Sequence, residues 1–360
     1  MLFLPALASD RPKGGSAIEM TGDNLASQLE HCRSSRKPLH LYRPGNLPLI
    51  LFLLVWLVLS GSSGLSLADE TPVWKFDFRD VFYDVAVLSG QKTVIVGARG
   101  RVLVSHDKYP NLWSPRDSGT RELLTSLSFA DDRSGWAAGH GGVILHTADG
   151  GNTWETQRPS SPQNQPLFDV QFLSTTVGYA CGAYDTLLKT TDGGKNWEEL
   201  TTGLDNIYSG LCFVNEREGF LVGEFCTLVR TRDGGETWQK IDLGGCQGSL
   251  FGVCVLPPNG ILVYGISGRI LKSEDDGSTW KDISPGVNQS LFRAAFGHGQ
   301  VAIVGASGTI LLSTPELEGF TYKTDEDLTT FAGISAHPEG GFVCVGEKGK
   351  IFRIVPPDHP

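Results

Sequence analysis

Residues Thr147 to Trp154 read TADGGNTW, and the phrase returns as TTDGGKNW (Thr190 to Trp197), TRDGGETW (Thr231 to Trp238) and SEDDGSTW (Ser273 to Trp280). The aspartates Asp149, Asp192, Asp233 and Asp275 stand 43, 41 and 42 residues apart, and a fixed period of this size marks a repeat architecture. A quieter marker extends the series. Eight residues before each Ser/Thr, a glycine ends an apolar run (Gly139, Gly182, Gly223, Gly265), and the same phrase recurs as VGARGRVLVS at Gly97, VGASGTILLS at Gly305 and VGEKGKIFRI at Gly346. The steps between these seven glycines are 42, 43, 41, 42, 40 and 41 residues, so seven units tile residues 69 to 360.

Each unit reads as four short strands. In the third unit these are LFDVQF (Leu167 to Phe172), VGYACG (Val177 to Gly182), TLLKT (Thr186 to Thr190) and, after the DGG turn, WEEL (Trp197 to Leu200). Four strands in roughly 40 residues is the pattern of a β-propeller blade, so the fold expected is all-β with seven four-stranded blades. The 45 glycines in 360 residues are then a surplus of turns, and the glycine ending each second strand is expected to supply positive φ to the following hairpin. The last unit stops at its third strand, IFRIV (Ile351 to Val355), and VWKFDF (Val73 to Phe78) resembles the missing fourth. The N-terminal segment is therefore expected to complete blade seven and close the ring, removing an exposed sheet edge.

Residues 1 to 68 stand apart from the repeats. Arg33, Arg36, Lys37 and Arg43 precede the apolar run LPLILFLLVWLVL (Leu47 to Leu59), and small residues follow it, with Ser66 and Ala68 placed for cleavage after Ala68. Basic flank, apolar segment and small-residue site are the order of an export signal, and 13 apolar residues fall short of the ~18 that favour a span; an uncleaved N-terminal anchor is the alternative. Met1 and Met20 are both candidate starts, and no cysteine follows the run where a lipid anchor would need one. The expected locations are the periplasm or a thylakoid lumen, with membrane association through this segment.

The remainder carries 24 basic and 36 acidic side chains, a formal charge of −12, which argues against a nucleic-acid partner. Its six cysteines, Cys181, Cys212, Cys226, Cys246, Cys254 and Cys344, lie mostly in apolar strand runs and read as buried thiols, although their even number leaves fifteen full pairings open. No CxxC or Cys/His spacing points to a metal, and nothing calls for a cofactor.

The repeated phrase is the Asp-box, or BNR repeat. Its Ser/Thr and aspartate are suited to accept hydrogen bonds from turn amides, its glycines to supply positive φ, and Trp154, Trp197, Trp238 and Trp280 to pack between sheets. Because each box has no second carboxylate beside it, the aspartates read as structural and not catalytic. Units one (SHDKYPNLW, Ser105 to Trp113) and six (STPELEGF, Ser313 to Phe320) are degenerate.

Over residues 69 to 360, phrases such as SGWAAGHGGVILHTADGGNTW and VGYACGAYDTLLKTTDGGKNW resemble the photosystem II stability/assembly factor family, seven-bladed luminal propellers with relatives in non-photosynthetic bacteria. The resemblance implies a non-enzymatic factor that holds a membrane-protein assembly intermediate as its client. The competing reading is a sialidase-like glycoside hydrolase or glycan-binding propeller, since these also carry Asp-boxes. Its early F/Y-R-I-P phrase has only FRIV (Phe352 to Val355) as a counterpart, in the wrong blade and without the proline.

In propellers the second-to-third-strand turns and the connections between blades share one face, opposite the Asp-boxes. The turns present Arg99, His140, Tyr184, Glu224 and Lys348, with Arg101 just inside the strand; the connections add Arg116, Arg121 and Arg158, the last opening the Pro/Ser/Gln-rich stretch Gln157 to Pro166. Arg99, Arg101, Arg116 and Arg121 fall within 23 residues of an acidic chain. They form a candidate site for an acidic segment or carboxylate terminus of the client, because guanidinium groups bind carboxylates bidentately. His140 reads as an exposed turn residue without a catalytic role.

Overall fold

The computed structural model describes residues 74–106, 109–256 and 260–355; the expected leader lies outside them. The second strand is buried at every position in five of the seven repeats, as in Thr93–Gly97 and Gly219–Gly223, and at all but the first position in the other two. Such strands read as continuous apolar runs because both of their faces are covered. The described strands form seven antiparallel meanders in sequence order, six of four strands and the last of three. Blade one comprises Phe82–Val87, Thr93–Gly97, Val102–His106 and Tyr109–Arg116. The first strand of every blade lies innermost and packs beside the first strands of its two neighbours all the way round the ring. The protein is a seven-bladed β-propeller.

Between blades the contacts are apolar. Val94, Val96 and Val104 of blade one meet Leu124, Ala137 and Leu145 of blade two, for example. Each Asp-box tryptophan packs back toward the preceding blade, Trp154 at the seam of blades one and two and Trp280 at that of four and five. A blade-seven counterpart would have to sit between blades six and seven.

Trp74 does not sit there. It joins Trp113, Phe82 and Val343 at the seam of blades seven and one, its amide bonded to the Trp113 carbonyl (2.6 Å) and its indole Nε1 to Asp80 (3.1 Å). Among the described residues blade seven therefore keeps three strands, and the expected fourth strand over Val73 to Phe78 is absent. The aromatic side chains of this segment fill the seam instead, with Phe76 edge-on to both Phe82 and Trp113. Closure comes from this packing and from polar stitches, Ser335 Oγ accepting the Val87 amide (3.2 Å) and Gln91 Nε2 donating to Glu339 (2.6 Å).

The seven repeat-marking glycines need a different explanation from the one expected. Gly97 has φ −170° and Gly139 −171°, extended backbone open to any residue. What requires glycine is space. A Cβ at Gly97 would collide with the Val81 carbonyl oxygen, and one at Gly346 with that of Thr330. Those carbonyls precede the inner strands and accept the amide that follows each glycine, as in Ala98 to Val81 (2.9 Å) and Glu347 to Thr330 (3.1 Å). Positive φ falls further along, at the turn tip.

Candidate functional site

The carbonyl bonds just described bring each turn against the connection that enters its own blade, so turns and connections share one face. At the tip of each turn the backbone is left-handed. Six of the seven residues there are not glycine: Arg99 (φ 61°), Tyr184 (54°), Phe225 (53°), Ser267 (55°), Ser307 (52°) and Lys348 (57°), with Gly141 (64°) the seventh. Such turns favour glycine or asparagine, and a bulky side chain in that region is held against a strain of about 1–3 kcal/mol.

The cations of this face gather around one carboxylate. Asp80, nearly buried, lies 3.8 Å from Arg99 and 3.5 Å from Arg101, whose guanidinium covers the Trp74 ring at 3.9 Å. The connection carrying Arg121 is drawn to the same place by Ser118 Oγ, which donates to the Gly100 carbonyl (2.7 Å). The blade-seven turn arrives through the Gly349 amide, which donates to the Asp80 carbonyl (2.7 Å) and places Lys348 alongside. Arg121 and Lys348 are exposed and form no ion pair among the described residues. Arg99 and Arg101 thus share one buried carboxylate, while Lys348 Nζ donates to the Asp327 carbonyl (3.4 Å) and Arg121 stands on the adjoining connection.

Other expected members are elsewhere. Arg116 turns toward the next blade's Asp-box, donating to Asn152 Oδ1 (3.4 Å) and to the Pro115 carbonyl (3.1 Å). Its strand is bonded along one side only, leaving that direction open. Arg158 is used internally, joining the Gly142 carbonyl (2.5 Å) to Asn164 (3.0 Å), and burial lowers its pKa. His140 is half-buried against Phe168 and not exposed as expected; its Nε2 is buried without a hydrogen-bond partner among the described residues, and burial lowers its pKa. Glu224 is half-exposed, and its backbone carbonyl accepts from Asn206 (3.4 Å).

Two features of this region have no counterpart in the sequence reading. The first is apolar. Phe225 is 81% exposed and Tyr184 57%, with Leu204 (42%) and Ile266 (40%) on the adjoining connection and turn. Cys226, next to Phe225, forms a disulfide with Cys246, so two of the cysteines read as buried thiols are paired; Cys181, Cys212, Cys254 and Cys344 remain free. Phe225 was detectable, since it occupies the same place after Gly223 as Arg99 does after Gly97.

The second lies in the central channel. The third residues of the inner strands are Asp84, Ser126, Asp169, Gly210, Gly252, Arg293 and Gly333. Arg293 of blade six reaches Asp169 of blade three (3.0 Å) and Asp84 of blade one (3.9 Å). Asp84 and Asp169 also accept the Leu127 and Leu211 amides of neighbouring blades (2.9 and 3.0 Å). Burial raises the Asp84 pKa against the opposing pull of Arg293. Burial alone would lower the Arg293 pKa, but the two carboxylates raise it.

On the opposite face, the boxes are hydrogen-bonded turns, although Trp197 Nε1 of the second is buried without a partner among the described residues. In the first, Thr147 Oγ1 accepts the Gly151 amide (2.9 Å), Asp149 Oδ1 accepts the Thr153 amide (2.9 Å), and Trp154 Nε1 donates to the Gly151 carbonyl (3.0 Å). Among the described residues no group of His, Cys, Asp and Glu side chains is arranged to hold a metal ion.

The family model described as photosynthesis system II assembly factor YCF48 matches residues 68–163 and 196–360. The chain belongs to this family. Among solved structures, it is similar to YCF48 bound to D1 peptide (20% identity, TM-score 0.64, covering 79% of this chain and 97% of that one). It is also similar to YCF48 from Cyanidioschyzon merolae (16% identity, TM-score 0.62, covering 79% and 98%). The WD40 propeller domain of Doa1 matches at the level of fold as well (14% identity, TM-score 0.64, covering 79% and 95%). No curated protein matches the sequence.

Proposed function

We propose that this YCF48-family protein is an exported, non-catalytic propeller that holds a membrane-protein assembly intermediate by an acidic or carboxylate-terminated segment laid on its turn-tip face. The observation that carries the reading is the pairing of Arg99 and Arg101 on the buried carboxylate of Asp80, with the connection of Arg121 and the turn of Lys348 bonded to the same region. That arrangement sets several cations on one face of an acidic protein, and planar guanidinium groups suit carboxylates. The D1 peptide bound by a solved relative indicates the kind of client. The Cys226–Cys246 disulfide favours an oxidising compartment, in keeping with export and with the location expected from the leader.

The glycosidase alternative requires an accessible arginine set with two separated carboxylates. The arginine–carboxylate group that comes nearest, Arg293 with Asp84 and Asp169, has both carboxylates buried and is satisfied internally. The decisive experiment is charge reversal, Arg99→Glu with Arg121→Glu, measured by fluorescence anisotropy against labelled D1 peptide. Wild type should bind and the double variant, with its fold verified by circular dichroism at the assay temperature, should bind at least about tenfold more weakly, a factor equivalent to 1.4 kcal/mol. Equal binding by the two proteins, or turnover of a fluorogenic sialoside by the wild type, would sink the proposal.

A further inference from the structure

The exposed apolar residues of the turn-tip face are continuous through backbone contacts. Asp185, beside Tyr184, donates its amide to the Asn206 carbonyl (2.6 Å), which brings Leu204 against the blade-three turn. Asn206 donates to the Glu224 carbonyl (3.4 Å) and to Thr227 Oγ1 (2.8 Å), tying this connection to the turn of Phe225. The Cys226 amide donates to the Gly248 carbonyl (2.6 Å), and Gly248 has no room for a Cβ because Ile266 lies over it. Tyr184, Leu204, Phe225 and Ile266 therefore make one arc over blades three to five.

Nothing in the turn itself requires the aromatic rings. The tip position is the one that glycine occupies with least strain, as Gly141 does in blade two. Phe225 and Tyr184 hold left-handed backbone there with their rings in water, and the adjacent disulfide fixes the Phe225 turn to the Gly248 connection. Apolar side chains kept exposed at a backbone cost are a mark of an interaction site.

The position of the arc decides its occupant. The cationic group occupies blades seven and one of the same face, and the channel between is blocked by Arg293 with its two aspartates. A bound segment therefore cannot thread the ring and must lie across its mouth, where Phe251 and Phe292 stand half-buried with ring centroids 5.4 Å apart.

We infer that the arc of Tyr184, Leu204, Phe225 and Ile266 seats the apolar stretch of an extended client segment whose acidic or carboxylate end is held by Arg99, Arg101, Arg121 and Lys348. This rests on the client-holding function proposed above and adds the chemistry of the client: apolar side chains separated by a spacer from the acidic end.

The test uses fluorescein-labelled designed peptides with a free C-terminal carboxylate and two aspartates, joined through Ser/Gly spacers of about three, six or nine residues to a Leu-Phe pair. The control peptides carry Ser-Ser in place of Leu-Phe. At one spacer length the Leu-Phe peptide should bind wild type at least about tenfold more tightly than its control. Phe225→Ser with Ile266→Ser should remove that advantage and leave control binding unchanged, while Arg99→Glu with Arg121→Glu should weaken both peptides. Phe225→Gly, which relieves the turn, should lose part of the same advantage without loss of thermal stability.

Equal binding of the Leu-Phe and control peptides to wild type, or undiminished Leu-Phe binding by the serine variant, overturns the inference and leaves the client-holding reading standing. Failure of every peptide to bind overturns both. A self-association of wild type that is abolished in the serine variant, with no peptide effect, assigns the arc to a second copy of this chain and also overturns the inference.

Discussion

Arg293 shows how much a single side chain contributes to this ring. It links blades six, one and three across the channel. Breaking a buried ion pair by removing one partner leaves an uncompensated charge. Arg293→Met should therefore lower stability at pH 7 by about 3–5 kcal/mol, measured by denaturant unfolding. The deficit should shrink as the pH falls: Asp84, whose carboxyl is already raised by burial, loses the opposing effect of Arg293 and takes up a proton more readily, removing the unpaired charge. A deficit independent of pH would contradict this account. The seven inner-strand residues recur at the repeat period, so their equivalence was legible, but spacing along the chain carries no information about which of them meet across a channel. The marker glycines show the opposite case. Their positions were readable in the sequence, while their cause, the close approach of a carbonyl from the same blade, is visible only in three dimensions.

At the scale of the element, the Asp-box turn is self-contained. Hydrogen bonds from the Asn196, Thr237 and Thr279 side chains and amides hold the carboxyls of Asp192, Asp233 and Asp275 down to about 2. A carboxyl depressed in the folded state contributes stability that is complete above its unfolded value near 4 and is lost as the pH falls through the folded value near 2. The triple variant Asp192→Asn, Asp233→Asn, Asp275→Asn should therefore melt below wild type at pH 7, and the two melting temperatures should converge between about pH 4 and pH 2. A constant gap across that range would show that the carboxylate charge is not what the turns use. These turns were legible from eight residues because the bonds made by the Ser/Thr hydroxyl and the aspartate carboxyl are local. The fourth strand of blade seven was misjudged for the complementary reason: Val73 to Phe78 has strand-like composition, but Trp74 and Phe76 are fixed by Trp113 and Phe82, partners that no local pattern reveals.

For the whole molecule, the seam between blades seven and one differs from the other six in joining the last unit to the first, with Trp74 of the N-terminal segment packed beside Trp113 of blade one's outer strand. Blade seven ends at Ile351–Ile354, whose outer edge is unpaired among the described residues, and the seam depends on Trp74, Phe76, Trp113 and a few polar stitches. Local opening concentrates where backbone hydrogen bonds are few and exposed. Amide hydrogen exchange should therefore be fastest in Ile351–Ile354 and the adjoining part of blade one, and slowest in the second strands of blades three to five. Replacing Trp74 and Phe76 by alanine should accelerate exchange at this seam first, and uniform acceleration in all seven blades would refute a seam-limited opening. The seven-fold count and the face on which turns gather were legible because both follow from the period. The arc around Phe225 was not, because apolar residues in a turn become informative only once their exposure is known.

The blocked channel also bears on how anything held by this protein is let go. A ring with an open bore could pass a chain from one face to the other, whereas here Arg293 separates the two faces. Arrival and departure must then take place on the same surface, and the lifetime of a complex is set by the dissociation rate from that surface alone. A successor protein would have to displace the segment from the side on which it landed.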